Sequence, residues 1–374
     1  MVSVPCHFGA VAFILGTVAA CFWTLTIFQQ FIAEPSVVVS LTSSANIASL
    51  DVFLPPNRHD DTYQLVNVTI NNQIIPLVID TSSGDCIVAS AECNSTDIES
   101  GCYSLESGFE ARNVAVIDHN KKFDTFIGRG RVIGNVMTNP MTIFDTEVKN
   151  FSAALIEEAW VNEFENGSFA GYLALGMQTT SSIMRKFHLL PFLDTLIAQG
   201  HLEKPMFSLS AARYGDPSQP FGRLTLGGIP EEHTNSKITY GDVLPFARFT
   251  DESTSPERLD HTGFFAWSTE LQGIRINGVE IPVTPGRVRR DQKHVSIIDS
   301  GASTLRLSPA TFQAIIPYLH GRTSVDSDWK GNFVIFECSK PQLLELKFLD
   351  SWFPIDPLDL LEANTQVNIN GTEM

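Results

Sequence analysis

Positive charge is what this chain has least of: 25 Lys and Arg stand against 42 Asp and Glu, for a formal net charge of −17. Surfaces that meet nucleic acid or anionic lipid need basic patches, so the balance excludes a nucleic-acid partner. An acidic surface also sheds charge at low pH, which suits a protein that works in acid. The nine histidines show no His-Glu-x-x-His or paired-ligand spacing, which excludes a zinc site. A Gly-x-Ser-x-Gly elbow and a phosphate-binding lysine loop are both missing. Gly128-x-Gly130-x-x-x-Gly134 is a poor dinucleotide loop, because Asn135 to Pro140 opens no helix. No metal and no organic cofactor is implied.

Charge of either sign is missing from Phe8 to Phe28, a run longer than a core strand and near the length of a membrane span. Val18-Ala19-Ala20 offers small residues for signal cleavage, but the run continues past them and no Lys or Arg precedes it. Two alternatives stay open, a cleaved signal or a retained membrane anchor, and both enter the secretory pathway. The product is then secreted and extracellular, or membrane-anchored. Five Asn-x-Ser/Thr sequons fit that route, at Asn67, Asn94, Asn150, Asn166 and Asn370. Cysteines number six. Cys6 and Cys21 fall in the leader, Cys86 reads as a buried free thiol, and Cys338 has no evident partner.

The chain is organised around Val295-Ser296-Ile297-Ile298-Asp299-Ser300-Gly301-Ala302. An apolar, β-prone run ends in an acid, a hydroxyl residue and a glycine, the pattern of a buried strand entering a tight loop. The first half echoes it in Leu77-Val78-Ile79-Asp80-Thr81-Ser82-Ser83-Gly84. One such motif commonly does no more than end a strand and cap a turn. Two copies, one per half, point to a duplicated lobe in which each half supplies one loop. Two carboxylates that meet cannot both ionise easily, so one keeps a proton while the other acts as a base.

From about Tyr63 onward the chain resembles the pepsin-like aspartic proteases. Tyr63 to Ser90 resembles their opening strands and first catalytic loop. Phe123 to Gly134 resembles the flap hairpin, with Ile127, Gly128 and Gly130 at its end. Ala170 to Gly176 resembles the strand beside the first loop, and Pro191 to Ser210 the helix and strand before the lobe crossover. Gly222 to Ile229 and Trp267 to Val279 resemble the start of the second lobe. The resemblance implies a mostly β, bilobal fold with the active site between the lobes. It also implies a monomer that hydrolyses peptide or protein substrates with Asp80 and Asp299. Thr81, Ser83, Ser300 and Gly301 would support the catalytic loops, and Cys93 would pair with Cys102. The expected organisation is a leader over 1–33, a linker or short prosegment over 34–61, and lobes over 62–210 and 211–374.

Several positions depart from the family pattern. Ser82 replaces the glycine of Asp-Thr-Gly-Ser, Ile87 a frequent tryptophan, Ile127 the flap tyrosine and Ala174 a glycine. Ala302 stands where a hydroxyl commonly supports the second carboxylate. Residues 34–61 hold Arg58 and no lysine, unlike the family's basic prosegment. Judged by the first half, the strand that would close the second loop falls beyond Met374, so the second lobe reads as incomplete. Two rivals to a peptidase follow: a catalytically silent homologue that binds peptide or protein, and a membrane-anchored structural glycoprotein.

Overall fold

The computed structural model describes residues 25–28, 48–54, 63–94, 102, 108–127, 130–160, 169–213, 221–230, 233, 238–247, 262–302, 305–326, 331–336, 342–360, 368–369 and 372–373. Strands dominate it. Leu65–Ile70 and Gln73–Asp80 form a tight hairpin whose two loop residues, Asn71 and Asn72, sit at φ 48° and 62°. Asn tolerates the left-handed region that a two-residue hairpin demands, which is why the chain reverses there.

Gln73–Asp80 then lies beside Gly171–Ala174, running parallel to it, and the sheet continues through Ile87–Asn94, Thr146–Trp160 and Gly130–Ile143. Gly130–Ile143 pairs back onto Leu65–Ile70 at Thr69↔Thr142 and Ile70↔Met141. The sheet thereby closes on itself and leaves few free edges. A strand flanked on both sides and covered on both faces should read as an unbroken apolar run. Leu77, Val78 and Ile79 fit, each with no exposed surface. The expected disulfide is present, Cys93–Cys102, with Cα atoms 5.6 Å apart.

A second, antiparallel sheet runs Leu25–Phe28, Met206–Ser210, Gly222–Leu226, Ala48–Val52. The rest of the proposed leader lies outside the described residues. Among the described residues no helix is long and apolar enough to cross a membrane.

The second half has its own core. Gly273–Ile276 pairs with Val279–Ile281 and with Leu344–Phe348, which continues into Ser351–Ile355. Ile274, Ile276, Ile281, Leu346 and Phe348 are buried together beneath the helix Pro309–Ile315. Ser308 caps this helix, its hydroxyl accepting from the Thr311 N–H at 3.1 Å. The helix ends at Ile315 and tightens into a 3₁₀ turn, Ile316–Tyr318. Pro317 explains this, since it has no N–H to continue the ladder.

The strand before Asp299 is a correction. The sequence predicts it buried, yet in Val295–Ile297 the first two residues are half-buried and Ile297 is 47% exposed. Among the described residues it pairs only with Ser268–Glu270, whereas its counterpart is flanked on both sides. An apolar run predicts what a strand would bury, not whether a neighbour is there to cover it.

Contacts outside the Asp-bearing loops also join the halves. Trp267 is buried in the first half's core, donating its indole N–H to the Leu175 carbonyl at 2.7 Å. The Gln64 amide clips the Ala212 backbone, accepting its N–H at 2.7 Å and donating to its carbonyl at 3.3 Å. Within the second half, Arg213, almost fully buried, forms ion pairs with Asp356 at 2.9 Å and Asp359 at 3.1 Å.

Candidate active site

Asp80 is the last residue of its strand, so its carboxyl is delivered where the backbone leaves the sheet. There it is only 4% exposed. One oxygen, Oδ1, accepts the backbone N–H groups of Ser82 at 2.8 Å and Ser83 at 3.1 Å, and the Ser82 hydroxyl at 2.9 Å. The other, Oδ2, accepts the Ser83 hydroxyl. Asp299 is half-buried and accepts the Gly301 N–H at 2.9 Å.

The two loops are stitched together reciprocally. Thr81 Oγ1 donates to the Ile298 carbonyl at 2.9 Å and accepts the Ser300 N–H at 3.0 Å. Ser300 Oγ donates to the Ile79 carbonyl at 2.6 Å and accepts the Thr81 N–H at 3.2 Å. Each hydroxyl uses both its hydrogen and a lone pair, as a threonine or serine can. Gly301 is needed for close approach: a Cβ there would stand 2.8 Å from Cγ of Asp80.

Electrostatics follow from that proximity. Burial first, and the charge of Asp80 second, push the Asp299 carboxyl up from an ordinary 3.8 to about 6. The Ser82 hydroxyl first, then the Gly301 N–H and the exposed Arg306 guanidinium, hold it back from going further. No hydroxyl at Ala302 does for Asp299 what Ser83 does for Asp80. Among the described residues no cluster of three or more His, Cys, Asp or Glu could hold a metal ion.

The structure brings Asp80, Thr81, Ser82, Ser83, Ile298, Asp299, Ser300 and Gly301 into one hydrogen-bonded unit. Ser82 does so with negative φ, absent as it is from the left-handed residues, so its Cβ carries no backbone strain. Ala174 fits next to Asp80, 2% exposed, and donates its N–H to Cys86 Sγ at 3.3 Å. Cys86 is a free, buried thiol, and burial pushes its pKa up to about 12.

The expected flap is a hairpin in which Phe123–Ile127 pairs with the start of Gly130–Ile143, Ile127 opposite Gly130. Gly128 lies outside the described residues. Ile127 and Ile87 belong to the same apolar cluster, so the two substitutions of polar-edged aromatics are accommodated together. Asn67 and Asn150 are exposed. Asn94 ends a strand without a described side chain, and Asn166 and Asn370 lie outside the described residues.

Sequence reasoning missed three contributors. Trp267 was visible only as part of a motif, Arg306 carried no signal, and Ser82 was noted only as a replaced glycine, not as a donor to Asp80.

Two β lobes that meet through paired Asp-bearing loops define the pepsin-like class of aspartic proteases. The family model of eukaryotic aspartyl proteases matches residues 63–370, and the chain belongs to that family. It is 24% identical to human napsin-A over 331 residues, covering 86% of this chain and 69% of napsin-A. Against the vacuolar aspartic protease of Candida albicans it is 24% identical over 302 residues, 79% of this chain and 62% of the relative. Cathepsin E-B of Xenopus laevis is 24% identical over 262 residues, 69% of this chain and 56% of the relative.

Proposed function

We propose that the protein is an endopeptidase that hydrolyses peptide bonds with a water held between Asp80 and Asp299. The Asp80 carboxylate takes a proton from the water as its oxygen bonds to the scissile carbonyl carbon. The Asp299 acid gives its proton to the carbonyl oxygen, producing a neutral tetrahedral diol. Collapse returns a proton to the amide nitrogen, breaks the C–N bond and releases an acid and an amine. The observation that carries this reading is the reciprocal hydrogen bonding of Thr81 and Ser300, which brings the two Asp-bearing loops together at one buried place, since one acid and one base in a shared site are what the reaction needs. Peptide or protein chains are the substrates. The secretory route is supported by the uncharged N-terminal run, the Cys93–Cys102 disulfide and the vacuolar relative.

Cleavage of denatured protein at acid pH, blocked by pepstatin, is the expected result. Asp80→Asn and Asp299→Asn should each lower turnover by roughly three or more orders of magnitude, the range for an acid–base group combined with its electrostatic support. Either variant keeping most of the activity would exclude the pair. A silent peptide-binding homologue is favoured by one observation, the Ser82 side chain hydrogen-bonded at the pair where the family has glycine. Pepstatin binding by calorimetry, with no cleavage at any pH, would select that second reading.

A further inference from the structure

The loop before the strand Val295–Ile297 carries a motif that the hydrolysis does not use. In a chain poor in positive charge, three arginines fall together in Arg287-Val288-Arg289-Arg290. Lys121-Lys122 and Arg185-Lys186 are basic pairs too. Counting back from a bond after each pair, the fourth residue is His119, Ile183 and Arg287 in turn, and only the last is an arginine. Arg185-Lys186 also lies inside the helix Ser182–Phe187, which offers no extended segment. Arginines at the first, second and fourth positions before a bond suit a cleft lined with carboxylates. Each guanidinium is a rigid fork that a carboxylate takes with two bonds.

Arg287 and Arg290 are exposed, and none of the residues from Pro282 to Ser300 is fully buried. The loop is folded by its own bonds. The Gly286 N–H donates to the Gln292 carbonyl at 2.8 Å, and the Gln292 N–H to the Arg289 carbonyl at 3.2 Å. Arg289 grips Asp291 through two bonds, at 2.9 Å and 2.7 Å, and reaches the Pro245 carbonyl. Drawing Arg287 to Gln292 out into extended chain gives up such bonds but no core packing. Openings of that kind are what let proteases nick exposed loops. The flanks are anchored more firmly. The Leu271 N–H donates to the His294 carbonyl at 2.9 Å, Lys293 pairs with Glu270 at 2.8 Å, and Val295–Ile297 lies along Ser268–Glu270. On the other side of the loop, the Val288 carbonyl accepts the Ala247 N–H at 2.9 Å.

We propose that Arg287-Val288-Arg289-Arg290 is a processing site, cut after Arg290 by an endoprotease with acidic pockets for its three arginines. Water adds across the amide: its hydroxyl joins the Arg290 carbonyl carbon, its hydrogen goes to the Asp291 nitrogen, and the C–N bond breaks. The product is a two-chain protein whose second chain begins at Asp291, so each chain supplies one acid of the pair. It stays assembled, because the ladder between Ser268–Glu270 and Val295–Ile297 and the Thr81–Ser300 bonds all run from one chain to the other. The Cys93–Cys102 disulfide lies wholly in the first chain, so among the described residues noncovalent contacts do the holding. The site rests on the secretory route proposed above for where it meets such a protease, and on no peptidase activity of this chain.

The test takes the full chain from cells that lack such proteases and treats it with purified furin, and in parallel with trypsin. Pepstatin is present, so that any self-cleavage is silent. Furin should give two chains that separate in denaturing electrophoresis without reductant and co-elute in gel filtration. The new N-terminal sequence should read Asp291-Gln292-Lys293-His294. Arg287→Ala removes the fourth-position guanidinium and should slow furin by about 10–100-fold. Trypsin, which needs only the arginine at the bond, should cut the loop of that variant at the wild-type rate. Arg290→Ala should stop furin altogether. Both arginines are exposed, so both variants should keep the wild-type unfolding temperature. Folded wild type that furin does not cut after Arg290 overturns the proposal, as does Arg287→Ala cut by furin at the wild-type rate. Chains that part in gel filtration overturn the assembled two-chain product. Asp80→Asn should be cut by furin as the wild type is, so a failure of the peptidase reading leaves this one standing.

Discussion

At Asp299 one carboxylate links pH to folding. Its folded pKa, about 6, lies above the ordinary 3.8, so the folded state binds the proton more tightly than the unfolded chain. The stability this contributes is fully present below pH 3.8 and is lost as the pH rises through 6. At 1.36 kcal/mol per unit, the loss is on the order of 2–3 kcal/mol. Asp299→Asn, which cannot ionise, should therefore gain thermal stability relative to wild type between pH 4 and pH 7 (test values spanning about the shift). An equal difference in unfolding temperature at both pH values would contradict the assignment. Cys86 supplies a second residue-scale prediction. With its thiol pushed up to about 12 and no exposure to speak of, it should resist alkylation in the folded protein at mildly alkaline pH and react after denaturation. Peptide mapping by mass spectrometry reads this site separately from the other cysteines.

Elements in this chain are held by single side chains at their ends as much as by their ladders. Trp267 precedes the strand Ser268–Glu270 and packs edge-on against Phe207, ring centroids 5.7 Å apart. Its indole N–H is the donor to Leu175, which follows the strand lying beside Asp80. Trp267→Phe keeps most of the packing but leaves a carbonyl without that donor, at a cost of about 1–3 kcal/mol. Trp267→Ala also opens a cavity and should cost about 3–5 kcal/mol. Denaturant unfolding of both variants should rank them in that order, and equal losses would mean that the hydrogen bond contributes little beside the packing. The hairpin at Asn71-Asn72 and the Ser308 cap were legible because turn and cap chemistry is local. The end of the helix at Ile315 is local chemistry too, set by Pro317.

For the whole molecule, the interface between the halves is where the two Asp-bearing loops are cross-linked. Thr81 Oγ1 serves both Ile298 and Ser300, so Thr81→Val removes two cross-links with almost no change of volume. Each group left without its partner costs about 1–3 kcal/mol. A carboxylate displaced by an ångström can cost about 100-fold in rate. The expected outcome is a loss of kcat/KM well beyond the loss of stability, measured on the same samples by peptide cleavage and thermal unfolding. A variant with normal turnover would show that the reciprocal bonds do not set the alignment of the pair.

The amino-acid sequence determined the catalytic strands, the pair of acids and the mostly β architecture, because apolar alternation, turn residues and a repeated Asp-Ser/Thr motif are all written along the chain. It also located the departures at Ser82, Ile87, Ile127 and Ala174. What those departures mean was decided only by the folded structure. Whether the Ser82 hydroxyl finds an acceptor depends on how its loop folds, which sets it 2.9 Å from Asp80 Oδ1. The exposure of Ile297 depends likewise on which strands flank it. The same holds for the proton on Asp299: its residue type sets an ordinary carboxylate pKa, and burial beside Asp80 moves it. Local chemistry is carried by neighbours in sequence, but hydrogen-bond partners, burial and charge proximity are properties of distance in space.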